Sequence, residues 1–218
     1  IDLCVQGDVE ARSGTLLDDV HMMHEALPDL ALEEIDTRVE LFGRTLNAPI
    51  LISGMTGGTR EAGAINRAMA EVAAELGLGM GVGSQRAMLE DPEKASTYRV
   101  RDVAPDIVLL ANLGAVQARD VGPERVLELV SAIEADGLCV HLNAAQELVQ
   151  DEGDRDFRGC LDAIAEIAAV SHVPVIVKET GCGMAPRTLT RIREAGLGWV
   201  DVAGAGGTTW TGVEALRG

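Results

Sequence analysis

Aromatic residues make up only 2% of the 218-residue chain: two Phe, two Trp and one Tyr. Stacking platforms for single-stranded nucleic acid are therefore missing. Cations are scarce too. Eighteen Lys and Arg stand against 35 Asp and Glu, a formal charge of −17, the wrong balance for a sequence-independent grip on phosphate backbones. The four cysteines, Cys4, Cys139, Cys160 and Cys182, lie far apart without a C-x-x-C pair, which argues against a zinc knuckle or a disulfide scaffold. No apolar run approaches the roughly 20 residues of a membrane span, and no signal-peptide pattern is visible. Glycine, by contrast, is plentiful at 25 residues within a 47% hydrophobic composition, the profile of a globular chain with many tight turns. A cytoplasmic enzyme or ligand-binding domain remains, with neither nucleic acid nor membrane as partner.

The acidity is uneven. Residues 1–40 hold eleven carboxylates against Arg12 and Arg38, and this stretch reads as a solvated outer layer. An anionic substrate would need local cations or a metal against that field.

Six short apolar runs recur along the rest of the chain: Pro49–Ser53, Gly79–Gly83, Asp106–Ala111, Leu138–Leu142, Val173–Val177 and Trp199–Ala203. Several are continuously apolar and β-branched, as buried parallel strands are. Helical patterns separate them. Ile65, Met69, Val72 and Leu76 share one face ahead of Gly77, and Pro123 suits the first position of a helix through Val126, Val130 and Ile133. Asp91-Pro92 opens a third helix, Leu161–Ser171 makes a fourth, Pro186–Ala195 a fifth, and Thr209–Arg217 starts a sixth. Strand–helix alternation implies a parallel sheet. Polar or glycine-rich segments trail all six strands, the habit of a (β/α)8 barrel rather than of an open sheet with one switch point. The expected fold is thus an α/β TIM barrel, a single domain over 1–218 with six of eight units in these residues. Residues 1–48 would precede it as an amphipathic helix (Leu16, Leu17, Val20, Met23, Leu27) and a hairpin around Gly43 that plugs the barrel floor.

The chemistry gathers after the strands. Ser53–Gly58 (SGMTGG) offers glycines that let a ligand approach the backbone, and Gly83–Arg86 (GSQR) aligns a hydroxyl, an amide and a guanidinium suited to phosphate, unless Arg86 pairs with Glu90 or Asp91. His141–Glu147 (HLNAAQE) is the densest cluster. His141 and Asn143 share one strand face, and Gln146 and Glu147 stand at its mouth as hard oxygen donors suited to Mg²⁺. Zinc is a poor fit, with no second His or Cys at ligand spacing. Lys178 ends an apolar strand and could form a Schiff base, stabilise an anionic cofactor, or pair with Glu179 or Asp201. Ala203–Thr208 (AGAGGT) can present backbone N–H groups to an anion. His21, His24 and His172 have no such context.

Taken in order, ALPDL, EEIDT, APILISGMTGG, GVGSQR, HLNAAQE, VKETGCG and VDVAGAGGTTW resemble the type 2 isopentenyl-diphosphate delta-isomerases, FMN-dependent (β/α)8 enzymes. The resemblance implies that Gly54, Met55, Thr56, Ser84, Asn112, Lys178 and Thr208 contact FMN. It implies that Ser84, Gln85, Arg86, His141, Asn143 and Gln146 surround a diphosphate substrate, that Glu147 holds Mg²⁺, and that Gln146 and Lys178 are catalytic. NAD(P)H would serve to reduce the flavin, and a homo-oligomer is expected. An Arg-Lys…His motif before the first residue, and a phosphate site after strands seven and eight, belong to the family pattern and lie outside these 218 residues. The alternative is another FMN barrel oxidoreductase of the hydroxy-acid oxidase type.

Overall fold

The computed structural model describes residues 1–12 and 14–217. A short helix, α1 (Asp2–Gln6), leads into extended chain broken by 3-10 turns at Leu16–Asp19 and Leu32–Glu34. The expected amphipathic helix does not form: Leu16, Leu17, Val20, Met23 and Leu27 are all exposed. A helix of that length is marginal in water unless its apolar stripe is buried, and here the stripe is left facing solvent. The hairpin does form. β1 (Val39–Leu41) and β2 (Arg44–Leu46) pair antiparallel across Phe42-Gly43, whose φ angles of 51° and 77° give the doubly left-handed turn that a tight two-residue hairpin requires.

A six-stranded parallel sheet follows in strict chain order. β3 (Leu51–Ile52) leads through α2 (Arg60–Leu76) to β4 (Gly79–Gly81). Next come α3 (Arg86–Glu90), a 3-10 turn at Pro92–Thr97, β5 (Leu109–Gly114) and α4 (Ala115–Ala132). β6 (Gly137–Leu142), α5 (Ala144–Val149), α6 (Cys160–Val170), β7 (Val175–Glu179), α7 (Pro186–Glu194), β8 (Trp199–Asp201) and α8 (Trp210–Arg217) complete it. The sheet curls into the wall of a partial (β/α) barrel. Two expected elements differ. Asp91-Pro92 opens a 3-10 turn, with the Asp91 carboxylate capping Glu93 N at 3.0 Å, rather than an α-helix. α4 begins eight residues before Pro123 and breaks at Gly122, whose φ of 77° and ψ of 169° separate two helical halves. Among the described residues, no helix is long and apolar enough to cross a membrane.

Strand periodicity sorts the side chains into two faces. Leu109, Leu113, Leu138, Val140, Val175 and Val177 point outward and meet Val126, Val130, Ile133, Ile164 and Ile167 of the helices in the main core. The inward face is layered. Leu110, Cys139 and Ile176 join Val108 and Leu46 in a second apolar cluster, against which Val39, Leu41 and Phe42 of the hairpin pack. Phe42 also meets Trp199 edge-on, with ring centroids 4.9 Å apart. The hairpin thus closes the amino-terminal end of the barrel. Asp136 pins it there, bonded to Arg44 Nε at 3.0 Å, Arg101 Nη2 at 2.7 Å and Leu109 N at 2.9 Å. Two residues further along each strand, at the carboxyl end, stand Asn112, His141, Lys178 and Asp201.

Candidate functional site

These four polar side chains lie directly above the apolar plug. In the sheet register His141 faces Lys178 and Lys178 faces Asp201. The Asn112 amide is fixed from behind: Nδ2 donates to Val82 O at 3.1 Å, which leaves Oδ1 to face His141 Nδ1 at 2.8 Å. Because a carbonyl oxygen only accepts, His141 carries its proton on Nδ1 and keeps a lone pair on Nε2. Burial, and then the nearby Lys178 ammonium, push the imidazole down to about 4, so the ring is neutral at physiological pH. Lys178 Nζ donates to Glu179 O at 2.7 Å and lies 3.3 Å from Asp201 Oδ2. The Asp201 pairing considered for it is therefore formed. Ser53, Gly54, Asn112, Lys178 and Asp201 share a lumen cavity of about 90 Å³. Cys139 reaches it from below, its thiol pushed up to about 12 chiefly by burial and hence protonated.

β6 runs into α5 at Asn143 and carries the second half of the site. Asn143 Nδ2 donates to Glu147 Oε1 at 2.6 Å, and Asp154 N donates to Glu147 Oε2 at 2.9 Å. Arg155 reaches only the Glu147 carbonyl, at 2.9 Å. The Glu147 carboxylate is 4% exposed and, among the described residues, has no cationic partner. Buried carboxylates are ordinarily paired or bound to a metal. No group of three or more His, Cys, Asp or Glu gathers around a metal position among the described residues, so a cation at Glu147 would take its other ligands from water and substrate. Gln146 Nε2 donates to Glu214 Oε1 at 3.1 Å, and Arg217 approaches the other Glu214 oxygen at 3.6 Å. A larger cavity of about 660 Å³ opens beside Asn143, Gln146, Glu179 and Thr208, with Arg12 on its rim.

In the first two glycine-rich loops, glycine has a packing role. A Cβ on Gly54 would overlap Val82 O, one on Gly83 would overlap the Thr56 backbone, and one on Gly57 would enter the Tyr98 ring. Here glycine lets neighbouring loops touch each other, with Gly83 N donating to Thr56 O at 2.9 Å. Met55 is half-exposed beside them, and Ser84 is partly exposed with its carbonyl held by Tyr98 Oη at 2.7 Å. The loop after β8 is the opposite case. Gly204 and Gly207 have φ of 119° and 60° with open space around them, so this backbone is free to meet a ligand. Thr208 at its end bridges to Glu10. Gln85, expected at the substrate, is placed elsewhere. It is 1% exposed, with Nε2 donating to Leu129 O at 3.0 Å and Oε1 accepting from Asn112 N at 3.1 Å. It positions Asn112 instead. Arg86 is exposed at the start of α3 and, among the described residues, forms no ion pair with Glu90 or Asp91.

No family model matches the sequence. An isopentenyl-diphosphate delta-isomerase of Methanosarcina mazei is 47% identical over 219 residues, covering 100% of this chain and 60% of that protein. One from Thermococcus onnurineus is 46% identical over 225 residues, with the same two shares. Over its whole length this chain is homologous to the isopentenyl-diphosphate delta-isomerases. It spans about 60% of the length of the curated relatives it matches. Among solved structures, one described as a lactate oxidase of Pediococcus acidilactici superposes with a TM-score of 0.56 at 19% identity, over 85% of this chain and 56% of that one. A mandelate oxidase carrying an FMN adduct gives 0.53 at 15% identity, over 90% and 60%. These likenesses speak for the barrel fold.

For an isomerase homologue, the informative omission from sequence reasoning is Glu214. It sits 68 residues beyond Gln146 on α8, where periodicity shows only another helix, and no local signal marks it. Its burial, 8% exposed among helix residues, becomes visible only once α8 docks against α5. Tyr98 is a second omission, a fully buried ring that supports both the β3 and β4 loops.

Proposed function

We propose that the protein to which this chain belongs interconverts isopentenyl and dimethylallyl diphosphate. FMN, kept reduced by NAD(P)H, would supply acid–base chemistry at the allylic unit, and Mg²⁺ would link Glu147 to the diphosphate. The observation that carries this reading is the polar layer of Asn112, His141 and Lys178 above a closed apolar floor, with Asn143 at the end of β6 and Gln146 and Glu147 on the α5 helix that follows. The donor chemistry fits both groups. Glu147 is a buried carboxylate with no cationic partner among the described residues, and the Gly204–Gly207 backbone with Gly54, Met55, Thr56, Ser84, Asn112, Lys178 and Thr208 offers a polar border to a planar ring.

The geometry supports the following roles for the chain's own residues. Lys178 would hold its ammonium toward the flavin, where a positive charge would favour an anionic form of the ring. Gln146, oriented by Glu214, and Asn143, oriented by Glu147, position the substrate through their amides. Ser84 and Arg86 meet the diphosphate from the β4 side. His141 by itself is neutral at physiological pH. A bound diphosphate favours the imidazolium, turning Nε2 into a donor toward the phosphate oxygens. Gln146 and Lys178 are the side chains assigned to the reacting end.

The deciding experiment incubates full-length protein with isopentenyl diphosphate, Mg²⁺, FMN and NADPH. Many turnovers per NADPH consumed are expected. Stoichiometric NADPH oxidation would overturn the isomerase and favour a hydroxy-acid oxidase-like enzyme, whereas borohydride trapping of a carbonyl substrate on Lys178 without bound flavin would point to an aldolase.

A further inference from the structure

A second cavity lies on the outer side of the barrel wall, between the sheet and helices α6 and α7. Its volume is about 230 Å³. Val116, Phe157, Leu161, Ile164, Val177 and Ile192 make it predominantly apolar, while Thr188 and Arg191 stand at its edge. The charge at that edge is unusual for a chain of −17. α7 carries Arg187, Arg191 and Arg193 against Glu194 alone. Arg187 and Arg191 are four residues apart, so their guanidiniums lie one turn apart on the same helix face. Among the described residues neither forms an ion pair. Unpaired arginines one turn apart suit the oxygens of a phosphate.

Size narrows the ligand further. An apolar cavity of about 150 Å³ accommodates benzene. By that scale 230 Å³ has room for a branched chain of about five to eight carbons. We infer that this cavity binds a short-chain alkyl or alkenyl phosphate, with its chain between α6 and α7 and its head group on Arg187 and Arg191. The inference needs only the cavity, the Arg191 that lines it and Arg187 one turn away on α7, and stands apart from the isomerase reading. It has a route to the catalytic segment, because Asn143 lines this cavity as well as the larger one beside Gln146, and Leu142 and Ala144 flank it.

Cys160 lines the cavity and serves as its reporter. Full-length protein is titrated with isopentyl monophosphate, with isopentanol and inorganic phosphate as separate arms. Two measurements are taken: calorimetric stoichiometry, and the rate at which N-ethylmaleimide captures Cys160, read by peptide mass. The expected result is a binding event beyond that at the main site, at least fivefold protection of Cys160, and much weaker effects from the alcohol or phosphate alone. Arg191→Ala should weaken this second event about tenfold, and Ile164→Trp, which fills the cavity, should abolish it while the first event persists. Unprotected Cys160 at saturation, or equal second-site binding in wild type and Arg191→Ala, overturns the proposal. Equal protection by isopentanol overturns its phosphate half. If Ile164→Trp fails to fold, Cys160 protection and Arg191→Ala still decide.

Discussion

Lowering the pH from 7 to 5 tests the placement of His141 without altering a residue. A free imidazole titrates near 6.5, whereas the folded ring titrates at about 4 because it is buried and faces Lys178. Between these values the unfolded chain binds a proton that the folded chain refuses. Stability rises with pH wherever the unfolded state holds more protons, so it falls on acidification. The contribution is complete above about 6.5 and is lost progressively toward 4. At 1.36 kcal/mol per pH unit, the descent from 6.5 to 5 costs on the order of 2 kcal/mol. The other three histidines, His21, His24 and His172, are exposed. Urea unfolding at pH 7 and pH 5 measures the loss as a shift in midpoint. His141→Gln keeps a donor for Asn112 Oδ1 but cannot titrate, and its midpoint should hardly move over the same interval. Lys178→Met should retain most of the dependence, since burial is the larger cause. Equal wild-type midpoints at the two pH values, or an undiminished shift in His141→Gln, would refute the neutral ring.

Glu147→Gln should raise the Mg²⁺ concentration needed for half-maximal turnover while leaving FMN affinity unchanged, as read by activity titration and flavin fluorescence; loss of FMN with a normal Mg²⁺ response would contradict the assignment. Gly57→Ala drives a methyl into the fully buried Tyr98 ring and should cost about 1–3 kcal/mol in denaturant unfolding. Asp136→Asn leaves Arg44 and Arg101 without their shared carboxylate at the barrel floor, and a loss of about 1–3 kcal/mol should appear as a lower melting temperature. Residues 1–218 produced alone should self-associate in light scattering and bind FMN weakly, since Ile50, Leu51, Trp199 and Val200 expose apolar surface along β3 and β8.

What the sequence determined by itself was everything carried by short-range periodicity. Alternating β-branched runs and glycine-stopped helices fix the strand–helix order, and a side-chain period of two places His141 beside the lumen with Cys139 beneath it. The hairpin around Gly43 was legible for the same reason, because a two-residue turn needs left-handed backbone at a position that glycine supplies. The stretch from Leu16 to Leu27 shows where that logic stops: apolar spacing describes a helix face, but a helix forms only where that face finds a surface to bury it. Gln85 and Glu214 show the other limit. One looked like a substrate ligand from its neighbours in GSQR, and the other looked like nothing. Curling of the sheet brings Gln85 to Asn112 across 27 residues and Gln146 to Glu214 across 68, and such partners are chosen by three-dimensional closure rather than by local sequence. The glycines of SGMTGG divide in the same way: their presence is plain in the sequence, but only packing shows that Gly54 makes room for Val82 and Gly57 for the Tyr98 ring.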